Sequence, residues 1–207
     1  MTKNKILLSL LIAAGLWLVM FSPWTAKYIN FWIVMSISAV ILITLAFCFG
    51  KEWRTQFCFN FKALMWSIGS AILLWAIFYF GDIISTRLFE FARPQIDSVY
   101  SMKQGENLTR LSLLLLLLIA PAEEIFWRGY IQRSLAHRFG RNRGFVLATA
   151  AYALVHIWSL NLMLILSALA VGCVWGWMYR QKANLVTLIL SHALWDVAIF
   201  ILFPTSN

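Results

Sequence analysis

The sequence predicts an all-α, polytopic membrane protein of about seven transmembrane helices with a polar cavity between them. Three observations carry this. Of 207 residues, 62% are hydrophobic and 12% charged, against about 45–50% and 25% in soluble domains. The apolar residues gather into seven long runs, at about 6–22, 29–50, 63–81, 108–127, 145–160, 162–179 and 185–203. These runs show no period-2 alternation, and only helices or closed barrels satisfy every backbone group in lipid, so they read as helices. Eleven tryptophans suit a chain with many membrane–water boundaries.

Each element has its own signals. Residues 6–22 follow Lys3 and Lys5 and resemble a signal peptide, but Pro23-Trp24-Thr25 is a poor cleavage site, so they are expected to stay as the first helix. After the runs at 29–50 and 63–81, residues 83–92 put Ile84, Leu88 and Phe91 on one face and stop before Pro94. That pattern predicts a short interfacial helix. The run at 162–179 carries a small-residue stripe, Ala168, Gly172 and Gly176. It lets a neighbouring helix approach closely and offers a face for oligomerisation. One integral membrane domain over 1–207 is expected: N-terminal helices and the interfacial helix in 1–92, then core helices in 108–203.

The distribution of basic residues predicts orientation. With the N-terminus inside, the inner segments hold Lys3, Lys5, Lys51, Arg54, Lys62, Arg128, Arg133, Arg138, Arg141, Arg143, Arg180 and Lys182, twelve of the 17 basic residues. The outer loop after the third helix balances Arg87, Arg93, Lys103 and Arg110 with Asp82, Glu90, Asp97 and Glu106. The reading is N-in, C-out. The net charge of +9 therefore belongs to loops. No basic groove interleaved with aromatics and no Gly-rich phosphate loop points to nucleic acid. Membrane lipids are the expected surroundings, and the cell membrane (in a bacterium, the inner or plasma membrane) the expected location. Cys48, Cys58 and Cys173 show no metal-ligand spacing and read as small hydrophobes.

Apart from Arg110 at the outer start of its run, the ionisable residues inside the runs are Glu123, Glu124, His156, His192 and Asp196, and Arg128 follows at a cytoplasmic end. An Asp, Lys or Arg at mid-helix costs roughly 2.5–3.5 kcal/mol on insertion scales, so such groups point to function. Glu124 and Arg128 are four apart and can pair, while Glu123 is rotated about 100° away and can point into the bundle. His192 and Asp196 are also four apart on one face. Helical rise places Glu123, His192 and His156 within roughly three turns of the cytoplasmic ends of their runs, so three helices deliver them to one layer. An ion-paired helix end and two histidines bonding neighbouring helices would give the same pattern without chemistry. Hydrolysis of an amide needs a base for water, a proton donor for the leaving nitrogen and donors for the oxyanion, and glutamate with histidine covers all three. Ser191 adjoins His192 and points away from it. HExxH is absent, and no zinc site or other cofactor is expected.

With these residues in view, the chain resembles the CPBP intramembrane glutamic proteases, the CAAX prenyl endopeptidase group. Glu123-Glu124-Ile-Phe-Trp-Arg128 matches EExxxR, Tyr152-Ala-Leu-Val-His156 resembles FxxxH with Tyr for Phe, and His192-Ala-Leu-Trp-Asp196 resembles HxxxN or HxxxD. The resemblance covers about 108–203, which makes those helices the expected catalytic core. It implies a metal-free glutamic mechanism. Glu123 with His156 would activate water, His192 and Asp196 would stabilise the oxyanion, and Glu124 with Arg128 would hold the first motif. Tyr152, Trp127 and Trp195 would wall the substrate cavity, and a membrane-anchored or hydrophobic peptide or protein would be the substrate. Two departures are Tyr152, read as an aromatic wall, and Asp196, which cannot donate a hydrogen bond when ionised. Two other readings compete. One is a non-catalytic immunity or scaffold protein. The other is a proton-coupled transporter, which no pair of broken helices in matching halves supports.

Overall fold

The computed structural model describes residues 3–51 and 53–205, without the side chains of Lys3 and Arg54, two residues in the count of inner charges. It is all helical, with no strand among the described residues. Helix α1 spans Lys3–Phe21, α2 Phe31–Phe49, α3 Phe61–Leu88 and α4 Ala92–Tyr100. Helix α5 is one continuous rod over 108–139. Its segments Leu108–Leu114, Ala120–Glu124 and Arg133–Phe139 are α-helical, and Leu115–Ile119 and Ile125–Gln132 are π-helical. Helix α6 spans Arg141–Leu154 and continues as a 3-10 turn at Val155–Ser159. Helix α7 spans Leu162–Arg180, and α8 spans Leu185–Asp196 with a π-helical end at Val197–Leu202.

Among the described residues, five helices are long and apolar enough to cross a membrane: α1, α2, α3, α7 and α8. The other two sequence runs fall on α5, where α and π segments alternate, and on α6, a 14-residue helix closed by a 3-10 turn. Burial also follows the logic of a membrane protein. Side chains such as Ile72, Leu117 and Phe80 lie outward, while Ser9, Ser38, Ser67 and Ser191 are wholly inside. The chain is a multi-pass helical membrane protein.

Asparagine starts five of these helices. Asn30, Asn60, Asn107, Asn161 and Asn184 each accept, through Oδ1, the backbone N–H three residues on, at 2.7–3.0 Å. Each bond satisfies a donor that the first turn leaves orphaned, and a cap of this kind contributes about 0.5–2 kcal/mol.

The short helix differs from expectation. Residues 83–88 complete α3, and the separate helix is Ala92–Tyr100, with Pro94 inside its first turn. A first-turn proline loses no intrahelical bond, so Pro94 opens this helix where the sequence reading had it close one. Helix α4 bridges two others: Arg93 Nη2 donates to Asp82 Oδ2 of α3 at 3.0 Å, and Asn161 Nδ2 at the start of α7 donates to the Gln95 carbonyl at 2.7 Å. Lys103, just beyond α4, donates to the Phe200 carbonyl of α8 at 2.6 Å, and burial lowers its pKa from the ordinary lysine value.

Small residues set the helix contacts. On α3, Ala63, Ser67, Ser70 and Ala71 face α8; Ser67 Oγ donates to the Thr187 carbonyl at 3.0 Å, and Ser70 Oγ meets Ser191 Oγ at 2.8 Å. The stripe on α7 packs inside the chain, against α6. A Cβ at Gly172 would lie 3.3 Å from Thr149 and Tyr152, and one at Gly176 3.0 Å from Phe145. At both glycines the groove is filled by α6 of the same chain. The turn from α5 to α6 needs Gly140, whose φ is 87°. Beyond it, Gly144 lies against the backbone of Ala136, where a Cβ would collide.

Candidate functional site

Helix α5 brings both carboxylates into the interior. Every residue from Ala122 to Gln132 is buried, Glu124 at 0% exposure and Glu123 at 6%. The π segments flank the pair. Pro121 supplies no N–H to its helix, and the wider turn before it is one way a helix absorbs such a gap; π turns also recur at functional sites.

The two glutamates have different partners. Glu124 Oε1 accepts from Arg128 Nη1 at 2.8 Å and from His192 Nδ1 at 2.9 Å. Helices α5 and α8 are thereby joined through one carboxylate oxygen. The Arg128 guanidinium lies between aromatic faces, 4.8 Å from the Tyr152 ring centroid and 5.4 Å from Trp175. Glu123 points the other way, and its Oε2 accepts the Tyr152 hydroxyl at 2.8 Å. The divergence matches the rotation expected of adjacent helical residues.

The histidines are held just as firmly. His192 stacks on Trp175 at 3.9 Å between ring centroids, and Trp175 Nε1 donates to Ser191 Oγ at 3.0 Å. Since Glu124 can only accept from it, His192 Nδ1 carries hydrogen. Its Nε2 lies 3.5 Å from Asp196 Oδ2. His156 Nε2 accepts from Trp17 Nε1 at 3.0 Å. Indole nitrogen is a donor only, so the His156 hydrogen sits on Nδ1, which donates to the Tyr152 carbonyl at 2.8 Å. Among the described residues, no three of His, Cys, Asp and Glu are grouped as metal ligands.

A cavity of about 470 Å³ opens onto this array. Glu123, Tyr152, His156, His192, Trp195 and Asp196 line its polar part, and residues such as Trp32, Met35, Phe78 and Phe200 line the rest. Glu124 and Arg128 lie behind that wall. So does Trp127, expected from the sequence in the cavity wall: it is 1% exposed and packs edge-on against Trp17 and Tyr152. Two residues at the site were missed. Asp82 lines the cavity from α3, paired with Arg93; the apolar run ends at 81, so the sequence alone places it in the following loop. Trp17 reaches His156 from α1, and a tryptophan in an apolar run carries no sequence signal for that task.

The fold and site define a helical membrane protein with paired carboxylates and two histidines at a buried cavity. A family model described as Rce1-like, type II CAAX prenyl endopeptidase, matches residues 105–198, the stretch that carries all three motifs. That stretch is similar to the Rce1-like family, as the motifs indicated. No curated protein and no solved structure matches the chain.

Proposed function

We propose that the protein is an intramembrane glutamic endopeptidase that hydrolyses a peptide bond in a membrane-associated protein or peptide. The observation that carries this is Glu123 facing the same cavity as His156, His192 and Asp196. Glu123 takes a proton from water as the water oxygen attacks the peptide carbonyl. The oxyanion accepts hydrogen bonds from the His192–Asp196 pair. As the C–N bond breaks, Glu123 returns its proton to the leaving nitrogen. His156 holds the water beside Glu123. Its Nε2 is occupied by Trp17, so direct contact with the water requires that bond to open. Glu124 and Arg128 fix His192. The cell membrane, as in a bacterial plasma membrane, is the proposed location, with the surrounding lipid as the environment of the outward apolar faces.

A farnesylated peptide ending in a CAAX sequence, the substrate kind in the family's name, is the probe. Purified protein in liposomes should cleave it, and Glu123→Gln should abolish turnover while the protein still inserts and keeps its thermal unfolding. Near-normal cleavage by Glu123→Gln would end the glutamic reading. Survival of a toxin-immunity phenotype in the same variant would favour a non-catalytic membrane protein.

A further inference from the structure

The Tyr152 hydroxyl reaches Glu123 in a way that a mere wall of the cavity would not. Its O–H donates to Glu123 Oε2 at 2.8 Å, with both residues buried, at 5% and 6% exposure. That bond fixes the carboxylate plane and commits one oxygen, leaving Oε1 for a molecule in the cavity. The phenol is itself clamped. Trp127 packs on it edge-on at 5.2 Å and His156 at 5.3 Å, and the Arg128 guanidinium covers its face at 4.8 Å. Its backbone carbonyl accepts the Nδ1 hydrogen of His156, so the same residue sets that ring's tautomer. Space for the ring depends on α7, because a Cβ at Gly172 would stand 3.3 Å from Tyr152 Cδ1. A neutral donor buried against a carboxylate gives a charge-assisted hydrogen bond, roughly twice as strong as a neutral one.

We propose that Tyr152 is a positioning residue whose hydroxyl aims the Glu123 carboxylate at the substrate water. This rests on the proteolytic reading above for its consequence and on the contact itself for its geometry. Tyr152→Phe removes one oxygen and keeps the ring, so the packing on Trp127, His156 and Arg128 stays. On the farnesylated peptide, kcat should fall about 10- to 100-fold, the scale of one hydrogen bond to a charged group, with KM unchanged. A purely structural role would lower the unfolding temperature and would not single out kcat. A second readout needs no substrate. The carboxylate stretch of Glu123, assigned by infrared difference against Glu123→Gln, should shift in Tyr152→Phe. An unchanged kcat, a loss confined to KM, or an unmoved band overturns the assignment. If the wild-type protein cleaves no peptide, the proteolytic reading fails by itself, and the infrared band alone decides whether Tyr152 holds Glu123.

Discussion

Asp196 shows how much depends on one proton. It stands 3.5 Å from His192 Nε2, and His192 gives its other ring hydrogen to Glu124. For the proposed oxyanion role, either His192 is an imidazolium donating into the cavity beside an ionised Asp196, or Asp196 is the acid that donates. Substitution separates the two. Asn keeps the shape and a donor but removes the charge. Under the donor role, Asp196→Asn should keep most activity on the farnesylated peptide, while Asp196→Ala should lose about 10²–10³ in kcat, the scale of one oxyanion donor. Equal losses in the two variants would assign the effect to the charge. At this scale the sequence identified the ionisable groups but not their bonds. Six polar residues in apolar runs stand out by their cost in lipid. The Tyr152 hydroxyl and the Trp17 indole do not, because both rings are at home in a membrane and only their polar tips do the work.

Among the elements, hydrophobic runs located the spanning helices, since apolar length is what the bilayer selects. Their ends were less legible. Asp82 sits six residues inside α3 because Arg93 of α4 pairs with its charge, a compensation from outside the local sequence. The helix starts were marked more clearly than the hydropathy reading used: five asparagines cap five helices. Helix α5 outran its apolar stretch for another reason. Its polar second half, through Arg128 and Gln132, is enclosed by other helices rather than by lipid. The junction of α5 with α6 gives a test at this scale. Gly144 meets the backbone of Ala136, which cannot rotate away as a side chain can, so Gly144→Ala should destabilise by about 1–3 kcal/mol or more. Gly15 on exposed α1 has nothing within 4 Å, and Gly15→Ala should be neutral or stabilising by about 0.5–1 kcal/mol. Thermal unfolding in detergent compares the two variants, and similar midpoints would remove the close-approach argument.

For the whole molecule, orientation follows from charge, and the bundle geometry lets it be checked from both sides. Helix α5 has 32 residues over 108–139, about 48 Å at the α-helical rise, enough to cross the bilayer with its headgroups. Its far end leads into Arg138, Arg141 and Arg143, while its start follows a loop where acidic and basic residues cancel. Basic residues are retained in the cytoplasm, so the end near 139 should lie inside and the start near 108 outside. Cys48, Cys58 and Cys173 are free and exposed and would take up label, so all three must first become serine. His137→Cys and Gln104→Cys then place one exposed thiol at each end. A membrane-impermeant maleimide added to intact cells should label Gln104→Cys and not His137→Cys, and the pattern should reverse in inside-out vesicles. Labelling of His137→Cys from outside would invert the molecule and carry the Glu123 pocket to the other leaflet. The substrate's cleavage site would then lie towards the outer face, since pocket and helix end move together. Labelling of both from one side would mean that α5 does not cross, and the Glu123 pocket would then lack the membrane depth that the proposed reaction assigns to it.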